Sequence, residues 1–315
     1  MRLKRKLSAG MRWLSSRFSD TSAILLYHRV DEPVADPFGL CVSPSHFEEQ
    51  MAGLRDIGQP LPLLELLDQH RDGTLPPSSI GVTFDDGYLD VLENALPILE
   101  KFDIPATVFV VSGNIGEPFW WDRLIDLTHN TPQLPDSIRA CETTISTAGI
   151  SRKNLLKRLY PILQGLNEID RSAALAALGA CFKRDQLITT RRAMNADELR
   201  TLAGHPLITI GAHTVTHTRL ANLSLEDQQR EIETSLRQVE AIIDQPVVTF
   251  SYPFGLRSRD YNHDTVEAAR RAGLDHAIAA DLSPLTPNSD RFAVPRIWAH
   301  DIGGDASRKK IEAWL

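Results

Sequence analysis

The stretch "IGVTFDDGY", residues 80–88, joins a run of strand-forming residues to two adjacent acids, Asp85 and Asp86. Neighbouring side chains of a regular strand point to opposite faces, so the two carboxylates could not serve one site inside a strand. Where the strand ends, the backbone is free to turn and both side chains can face one centre. A metal ion shared there would remove the like-charge repulsion that otherwise raises one pKa.

Apolar runs of this kind recur along the chain and alternate with helical patterns. Several are nearly continuous in Val, Ile, Leu and Phe, which is typical of strands buried on both faces. The alternation predicts an α/β fold with a mainly parallel sheet, closed or open. The runs cover residues 23–30, 80–87, 106–113, 207–214, 247–255, 276–282 and 292–300.

The domain organisation follows from two interruptions of this pattern. Residues 1–20 are predicted to form a basic amphipathic segment, and residues 21–315 one α/β domain. Within that domain the segment at about 114–195 is helical in pattern and predicts an insertion between strands. It could be a lid over a binding site or outer packing of the domain.

The composition is that of an ordinary globular protein. The 315 residues are 42% hydrophobic and 24% charged, with a formal net charge of -7. This charge argues against a nucleic-acid partner, and no apolar window is long enough to span a bilayer. Three cysteines without a close pair, Cys41, Cys141 and Cys181, fit a reducing compartment.

The N-terminal segment has two interpretations. Residues 1–19 contain six Lys and Arg and no acid, and they lack the continuous apolar core of a signal peptide. Their apolar residues fall on one helical stripe, which favours peripheral contact with an anionic membrane surface. A frayed solubilising tail is the alternative. The predicted location is cytoplasmic, at the inner face of the cell membrane.

A second polar cluster, "GAHTVTH" at residues 211–217, also follows an apolar run. On a single helical turn, His213 and His217 would have Cβ atoms about 5–6 Å apart and could bind one ion. Two histidines and one carboxylate leave open positions on a divalent ion, as catalytic sites do. The adjoining carboxylate could then act as a general base toward water. Without the acid doublet, two surface histidines would be the simpler reading.

Three motifs in this order resemble the first three motifs of the polysaccharide deacetylase family (carbohydrate esterase family 4, NodB homology domain). They are "TFDDG" (83–87), "HTVTH" (213–217) and "FSYPFG" (250–255), in a framework of residues 80–111 and 194–273. The resemblance implies a distorted (β/α)7 barrel. It also implies hydrolysis of N-acetyl groups on sugars with zinc or a similar divalent ion, such as nickel, cobalt or iron.

The resemblance assigns roles to matching positions. Asp85 becomes the general base, and Asp86, His213 and His217 become the metal ligands. The backbone N–H of Phe254 would donate to the developing oxyanion. The third motif as a whole would bind the substrate and the oxyanion through four consecutive residues, Tyr252, Pro253, Phe254 and Gly255.

The chain departs from the family pattern at two places. Ser251 stands where the third motif has an arginine that orients the base. Arg296 is the candidate substitute and is also predicted among the substrate-binding residues; a buried ion pair is the alternative. The late motif that supplies the general acid is not evident, but "LLYHRV" precedes the acids. It is similar to a circularly permuted branch found with exopolysaccharide systems. We therefore predict His28 as the general acid, with His300 as the second candidate.

The resemblance implies a metal-dependent hydrolase that removes N-acetyl groups from N-acetylhexosamine units of a polysaccharide or glycan precursor. One alternative is a catalytically silent carbohydrate-binding or scaffolding protein of the same fold. Another is an O-deacetylase or deformylase acting on a lipid-linked sugar. A two-metal phosphatase or nuclease is disfavoured, because this sequence does not supply the further metal ligands and the basic groove that such an enzyme would need. The sequence does not predict the oligomeric state.

Overall fold

The structure is a computed structural model that describes residues 21–33, 35–183 and 191–315. The amphipathic segment, residues 1–20, lies outside the described residues, so its contact with a membrane stays a prediction. Among the helices described, none combines the length and apolar character that crossing a bilayer requires. The chain divides into two compact units, and the second consists of residues 33–38 and 114–195.

The first unit is built on a parallel sheet. The strands of this unit are β1 (Ala23–Tyr27), β2 (Arg29–Val30), β3 (Cys41–Val42), β4 (Gln59–Pro60), β5 (Ser79–Phe84), β6 (Ala106–Val110), β9 (Ile208–Ala212) and β10 (Ile297–Trp298). The sheet order is β10-β1-β5-β6-β9, so the first strand lies between the last strand and β5; β4 pairs with the start of β5, and β2 pairs with β3 separately. The strands β7 and β8 belong to the second unit.

The parallel pairing continues past β9 through single bridges and returns to β1. Ala212 bridges Phe250, Ser251 bridges Ile278, and Ile278 bridges Val294. Shortly after Val294 the chain forms β10, which pairs with β1 in parallel. The strand segments are thus connected in a ring, which confirms the predicted α/β barrel and places the strand before His28 beside the last strand. The permutation relative to the family stays a prediction.

The last predicted strands are shorter in the structure than in the sequence pattern. Of residues 292–300, only Ile297–Trp298 forms a strand, and Val294 forms a single bridge. Pro295 lies between them, and a proline has no N–H to donate to a sheet ladder. Pro253 limits the segment 247–255 in the same way. The two prolines therefore explain why the strands on this side of the barrel are short.

Helices connect the strands of the first unit. The helix that follows the histidine motif begins after the N-cap Ser224, whose hydroxyl accepts from the Asp227 N–H. The helices of this unit are α1 (Pro44–Ile57), α2 (Leu63–Arg71), α3 (Leu96–Phe102), α7 (Ala196–Ala203), α8 (Leu225–Ile243), α9 (His263–Arg271) and α10 (Gly304–Glu312). The helices α4 to α6 belong to the second unit.

The second unit is mainly helical and has its own hydrophobic core. Its elements are α4 (Trp120–His129), the antiparallel hairpin of β7 (Ser137–Ala140) and β8 (Thr143–Ser146), α5 (Arg152–Gln164) and α6 (Glu168–Cys181). Leucines of α4, α5 and α6 fill the core, among them Leu124, Leu159 and Leu178. Trp121 is buried and stacks on Phe119, with ring centroids 4.5 Å apart. This tryptophan therefore packs inside its own unit.

Candidate active site

The acid doublet meets at one centre because the backbone turns at the end of β5. The Asp85 N–H still donates to the Tyr27 carbonyl of the neighbouring strand (3.0 Å). Asp86 then takes a φ of 73°, a left-handed conformation that few residues other than glycine adopt. As a result, one oxygen of Asp85 and one of Asp86 lie 3.9 and 3.8 Å from His213 Nε2.

The two histidines follow β9 in a loop and not on a helical turn. The His213 N–H donates to Val110 of β6 (2.9 Å), and the His217 N–H donates to the Thr214 hydroxyl (3.0 Å). Thr214 and His217 have φ values of 65° and 51°, where a helix requires negative φ. The helical-turn prediction is therefore wrong. The expected proximity is nevertheless present, since the two rings have centroids 5.0 Å apart.

Asp86, His213 and His217 form a cluster whose ligand atoms all lie within 4.8 Å of one another. Asp86 Oδ1 is 3.3 Å from His217 Nε2 and 3.8 Å from His213 Nε2. His213 Nδ1 lies 2.8 Å from the Ser251 carbonyl, which can only accept, so Nδ1 carries the proton. Its Nε2 is then left with a lone pair directed at the cluster, as a metal ligand requires.

Two properties of this cluster fit a divalent cation. Asp86 Oδ1 is buried and accepts no well-aligned hydrogen bond from the described residues, an arrangement that is costly unless a cation satisfies the oxygen. Burial lowers the pKa of His213 to about 4, so its imidazole is neutral at pH 7 and able to coordinate. One carboxylate and two imidazoles are a donor set that zinc and related ions accept.

Asp85 has a different partner, a buried arginine. Arg296 Nη1 and Nη2 each donate to one oxygen of Asp85, both at 2.7 Å. Burial raises the pKa of Asp85, but the Arg296 guanidinium outweighs burial and holds that pKa well below its usual range. Asp85 is therefore ionised at neutral pH, which is the state that a proton acceptor needs.

Arg296 unites the two interpretations that the sequence allowed, because it is a buried ion pair whose partner is the candidate base. It also donates to the Ser251 hydroxyl (2.8 Å) and to the Ala279 carbonyl (2.7 Å), which fixes the plane of the guanidinium. Its exposed fraction is 1%. Arg296 was predicted among the substrate-binding residues; a side chain this buried cannot reach a substrate, so it orients Asp85 instead.

Ser251 contacts two of the candidate site residues, a connection that the sequence pattern did not identify. Its hydroxyl accepts from Arg296, and its carbonyl accepts from His213 Nδ1. One residue thereby supports both the candidate base and a candidate ligand. The sequence showed only that the usual arginine is missing there, since the carbonyl contribution is common to every residue type and leaves no signal.

The structure brings His28, and not His300, to the acids. The His28 ring lies beside Trp298 of β10, with centroids 5.2 Å apart, and its buried Nδ1 has no hydrogen-bond partner among the described residues. Burial lowers the pKa of His28, while the charges of Asp86 and Asp85 act in the opposite direction. His300 lies mostly at the surface; its partly covered ring and the Lys310 charge lower its pKa.

The third motif contributes its backbone and the Phe254 ring. Phe254 has a φ of 61°, and its ring lies 4.8 Å from the ring of His217. Its N–H donates to no atom of the described residues and so remains available to a ligand. Gly255 follows with a φ of 68°, and a Cβ there would lie 2.5 Å from the Ala280 nitrogen. The Gly255 N–H donates to the Pro253 carbonyl and closes the turn (2.7 Å). A side chain at position 255 would be strained, so this turn requires glycine there.

The Tyr252 side chain, by contrast, faces the core. It stacks on Tyr261 with ring centroids 4.3 Å apart, and its hydroxyl donates to the Phe292 carbonyl (3.1 Å). Only 1% of the residue is exposed. The predicted substrate contact of Tyr252 is therefore not made by this side chain, which instead holds the third motif in place.

An ionised, arginine-paired aspartate beside an Asp-His-His cluster, at the carboxyl ends of parallel barrel strands, defines the class of α/β-barrel hydrolases. The family model described as polysaccharide deacetylase matches residues 72–277. The chain belongs to this family and is a polysaccharide deacetylase, as its three motifs predicted.

The chain is also similar to a curated relative and to solved structures. Poly-beta-1,6-N-acetyl-D-glucosamine N-deacetylase of Staphylococcus aureus is 26% identical over 274 residues, which cover 87% of this chain and 71% of the relative. The deacetylase PplD of Streptococcus pyogenes, solved with acetate, superposes with a TM-score of 0.61 at 17% identity, over 92% of this chain and 98% of that one. IcaB from Ammonifex degensii superposes with a TM-score of 0.60 at 18% sequence identity, over 94% of this chain and 97% of that one. The two structures show a shared fold.

Proposed function

We propose that the enzyme removes N-acetyl groups from N-acetylhexosamine units of a polysaccharide or glycan precursor, with a divalent ion held by Asp86, His213 and His217. The observation that carries this proposal is the position of Asp85. Its carboxylate is ionised, fixed by Arg296, and 3.9 Å from the cluster nitrogen His213 Nε2. The Staphylococcus aureus relative, named for a β-1,6-linked N-acetylglucosamine polymer, supports a substrate of that kind. Zinc is the proposed ion, because it suits this donor set.

In the proposed reaction, water adds to the acetyl carbonyl carbon and the carbon–nitrogen bond breaks, which gives acetate and an amine. A divalent ion in such a site supplies a Lewis acid for the carbonyl oxygen and lowers the pKa of water. Asp85 accepts the proton that the water loses. The Phe254 N–H donates to the carbonyl oxygen as it gains negative charge. His28 acts as the general acid that donates a proton to the leaving nitrogen.

Acetate release from defined sugars tests this proposal. The substrates are β-1,6-linked N-acetylglucosamine oligomers, chitooligosaccharides and an O-acetylated sugar. We expect release from the N-acetyl compounds, loss of release after chelation, and recovery when zinc is added. Release from the O-acetylated sugar alone would favour an esterase, and zinc binding without release from any of them would favour a silent carbohydrate-binding protein.

Two variants, Asp85→Asn and His213→Ala, distinguish the proposed base from the proposed metal ligands. We expect Asp85→Asn to retain zinc and to lose about 10²- to 10⁴-fold in turnover, because an amide cannot accept the proton. We expect His213→Ala to lose zinc. Zinc content by atomic absorption, measured beside turnover, checks both. Loss of zinc from Asp85→Asn would make Asp85 a ligand and reverse the assignment of the doublet.

A further inference from the structure

The loop that carries both candidate histidine ligands is held from outside by an acid on α8. We call residues 213–217 the histidine loop. Glu231 Oε2 accepts the backbone N–H groups of Val215 (2.9 Å) and Thr216 (3.0 Å). Its other oxygen, Oε1, accepts the Thr216 hydroxyl (2.9 Å). Glu231 therefore binds the part of the loop that lies between the two ligands.

This loop needs such support because its conformation is not a regular one. Thr214 and His217 are left-handed, and non-glycine residues keep that conformation only where the surroundings enforce it. On the inner side, the Ser112 and Gly113 N–H groups donate to the Thr214 and Val215 carbonyls (3.1 and 2.9 Å). On the outer side, Glu231 accepts from the same stretch. The loop is thus fixed through its carbonyls on one side and its N–H groups on the other.

We propose that Glu231 is a positioning residue for the metal site. No contact joins its carboxylate to either imidazole; it acts through the backbone that sets where His213 and His217 point. Hydrogen bonds to an ionised carboxylate are stronger than those between neutral groups, so they resist the tendency of the loop to relax. This inference rests on the proposed function, since it requires that Asp86, His213 and His217 bind a metal.

The test is the zinc affinity of the full chain, measured by titration against a chelating indicator. We expect Glu231→Ala to weaken zinc binding about 10- to 100-fold, as loss of an outer partner of metal ligands typically does. Glu231→Gln should lose much less. Its amide oxygen can accept both N–H groups, and its NH₂ can donate to the Thr216 hydroxyl.

The matched control is Glu233→Ala on the same helix. Glu233 lies near Arg237 (3.6 Å) and accepts from Gln229 (2.5 Å), away from the histidine loop. We expect it to leave zinc affinity unchanged. The melting temperature of each metal-free variant separates a loss of fold from a loss of positioning. If Glu231→Ala does not fold, Thr216→Val removes the hydroxyl bond alone and should still weaken zinc binding.

The outcomes distinguish this inference from the proposed function. If the unmodified protein binds no zinc, or if His213→Ala binds it as tightly, the proposed metal site fails first. If the unmodified protein binds zinc and Glu231→Ala matches its affinity, the positioning role is overturned while the site stands. A fall in the metal-free melting temperature with unchanged zinc affinity would likewise reduce Glu231 to a structural residue.

Discussion

Two aspartates that are neighbours in the chain have different surroundings in the barrel. Asp85 is paired with a guanidinium that donates to both of its oxygens, whereas Asp86 faces two imidazoles. Burial alone would raise the pKa of either acid, and in each case the cationic or imidazole partner outweighs burial and lowers that pKa. Two ionised carboxylates can therefore coexist at one centre, with separate tasks in the proposed reaction.

The position of His28 predicts that its importance for turnover depends on how much the leaving group needs a proton. We expect His28→Ala to be severely impaired on an N-acetyl sugar and much less on an activated acetate ester, whose leaving group needs little protonation. His300→Ala is the control, because this exposed residue should affect both reactions mildly. Turnover of both substrates by both variants checks the prediction, and the reverse pattern would transfer the role to His300.

Much of this site could be predicted from the sequence, because Asp85, Asp86, His213 and His217 each follow an apolar run. Parallel strands bring such positions to one edge. The sequence could not predict contacts that depend on partners far away in the chain. The Asp85–Arg296 pair spans 211 positions, so Arg296 could only be a candidate. The histidine loop was mistaken for a helical turn, because left-handed φ values at non-glycine residues leave no trace in the sequence.

At the scale of the elements, the segment that follows His28 is fastened to the segment that follows the acids. Arg29 Nε donates to Asp90 Oδ2 (2.8 Å), and the Val30 N–H donates to Asp90 Oδ1 (2.9 Å). Asp90 is the N-cap of a π-helical turn, Val91–Ala95, a type of turn that often occurs at functional sites. The short strand β2 thus keeps the backbone of His28 in register with the acid doublet.

Asp90→Ala should show how much this connection contributes to stability. We expect a loss of about 3–5 kcal/mol in the free energy of unfolding, since Arg29 would remain buried without its main partner. Asp31→Ala is the control; Asp31 also accepts from Arg29, but it is 34% exposed, so its loss should cost less than about 1 kcal/mol. Urea unfolding of both variants is the measurement, and equal losses would contradict the prediction.

At the scale of the whole molecule, folding buries histidines in their neutral form. Burial lowers the pKa of His213 and of His276 to about 4 in each case. Between about pH 6.5 and 4 the unfolded chain binds protons at these positions, whereas the folded protein does not. Lowering the pH over this range therefore favours the unfolded state, because unfolding takes up protons at both histidines.

We expect the metal-free protein to lose stability as the pH falls from about 6.5 to 4. Each histidine held neutral contributes a slope of up to about 1.4 kcal/mol per pH unit. Below that range the paired Asp85 adds to the loss, because its folded pKa is depressed and its stabilisation disappears on protonation. Urea unfolding at a series of pH values measures this. His276→Gln should reduce the slope, and His263→Gln, at a 94% exposed side chain, should not; a flat profile would refute the prediction.

The closure of the ring between β1 and β10 has a consequence for the order in which the protein matures. Contacts between positions so distant in the chain form slowly, and on the ribosome the earlier segments emerge first. A growing chain contains both acids and both histidines of the cluster long before it contains Arg296 or Trp298. Until those two residues arrive, Asp85 has no guanidinium and His28 has no neighbouring ring. The candidate base therefore gains its guanidinium only after residue 296 has been synthesised, and a fragment released before that point would carry the proposed metal ligands without this partner for Asp85.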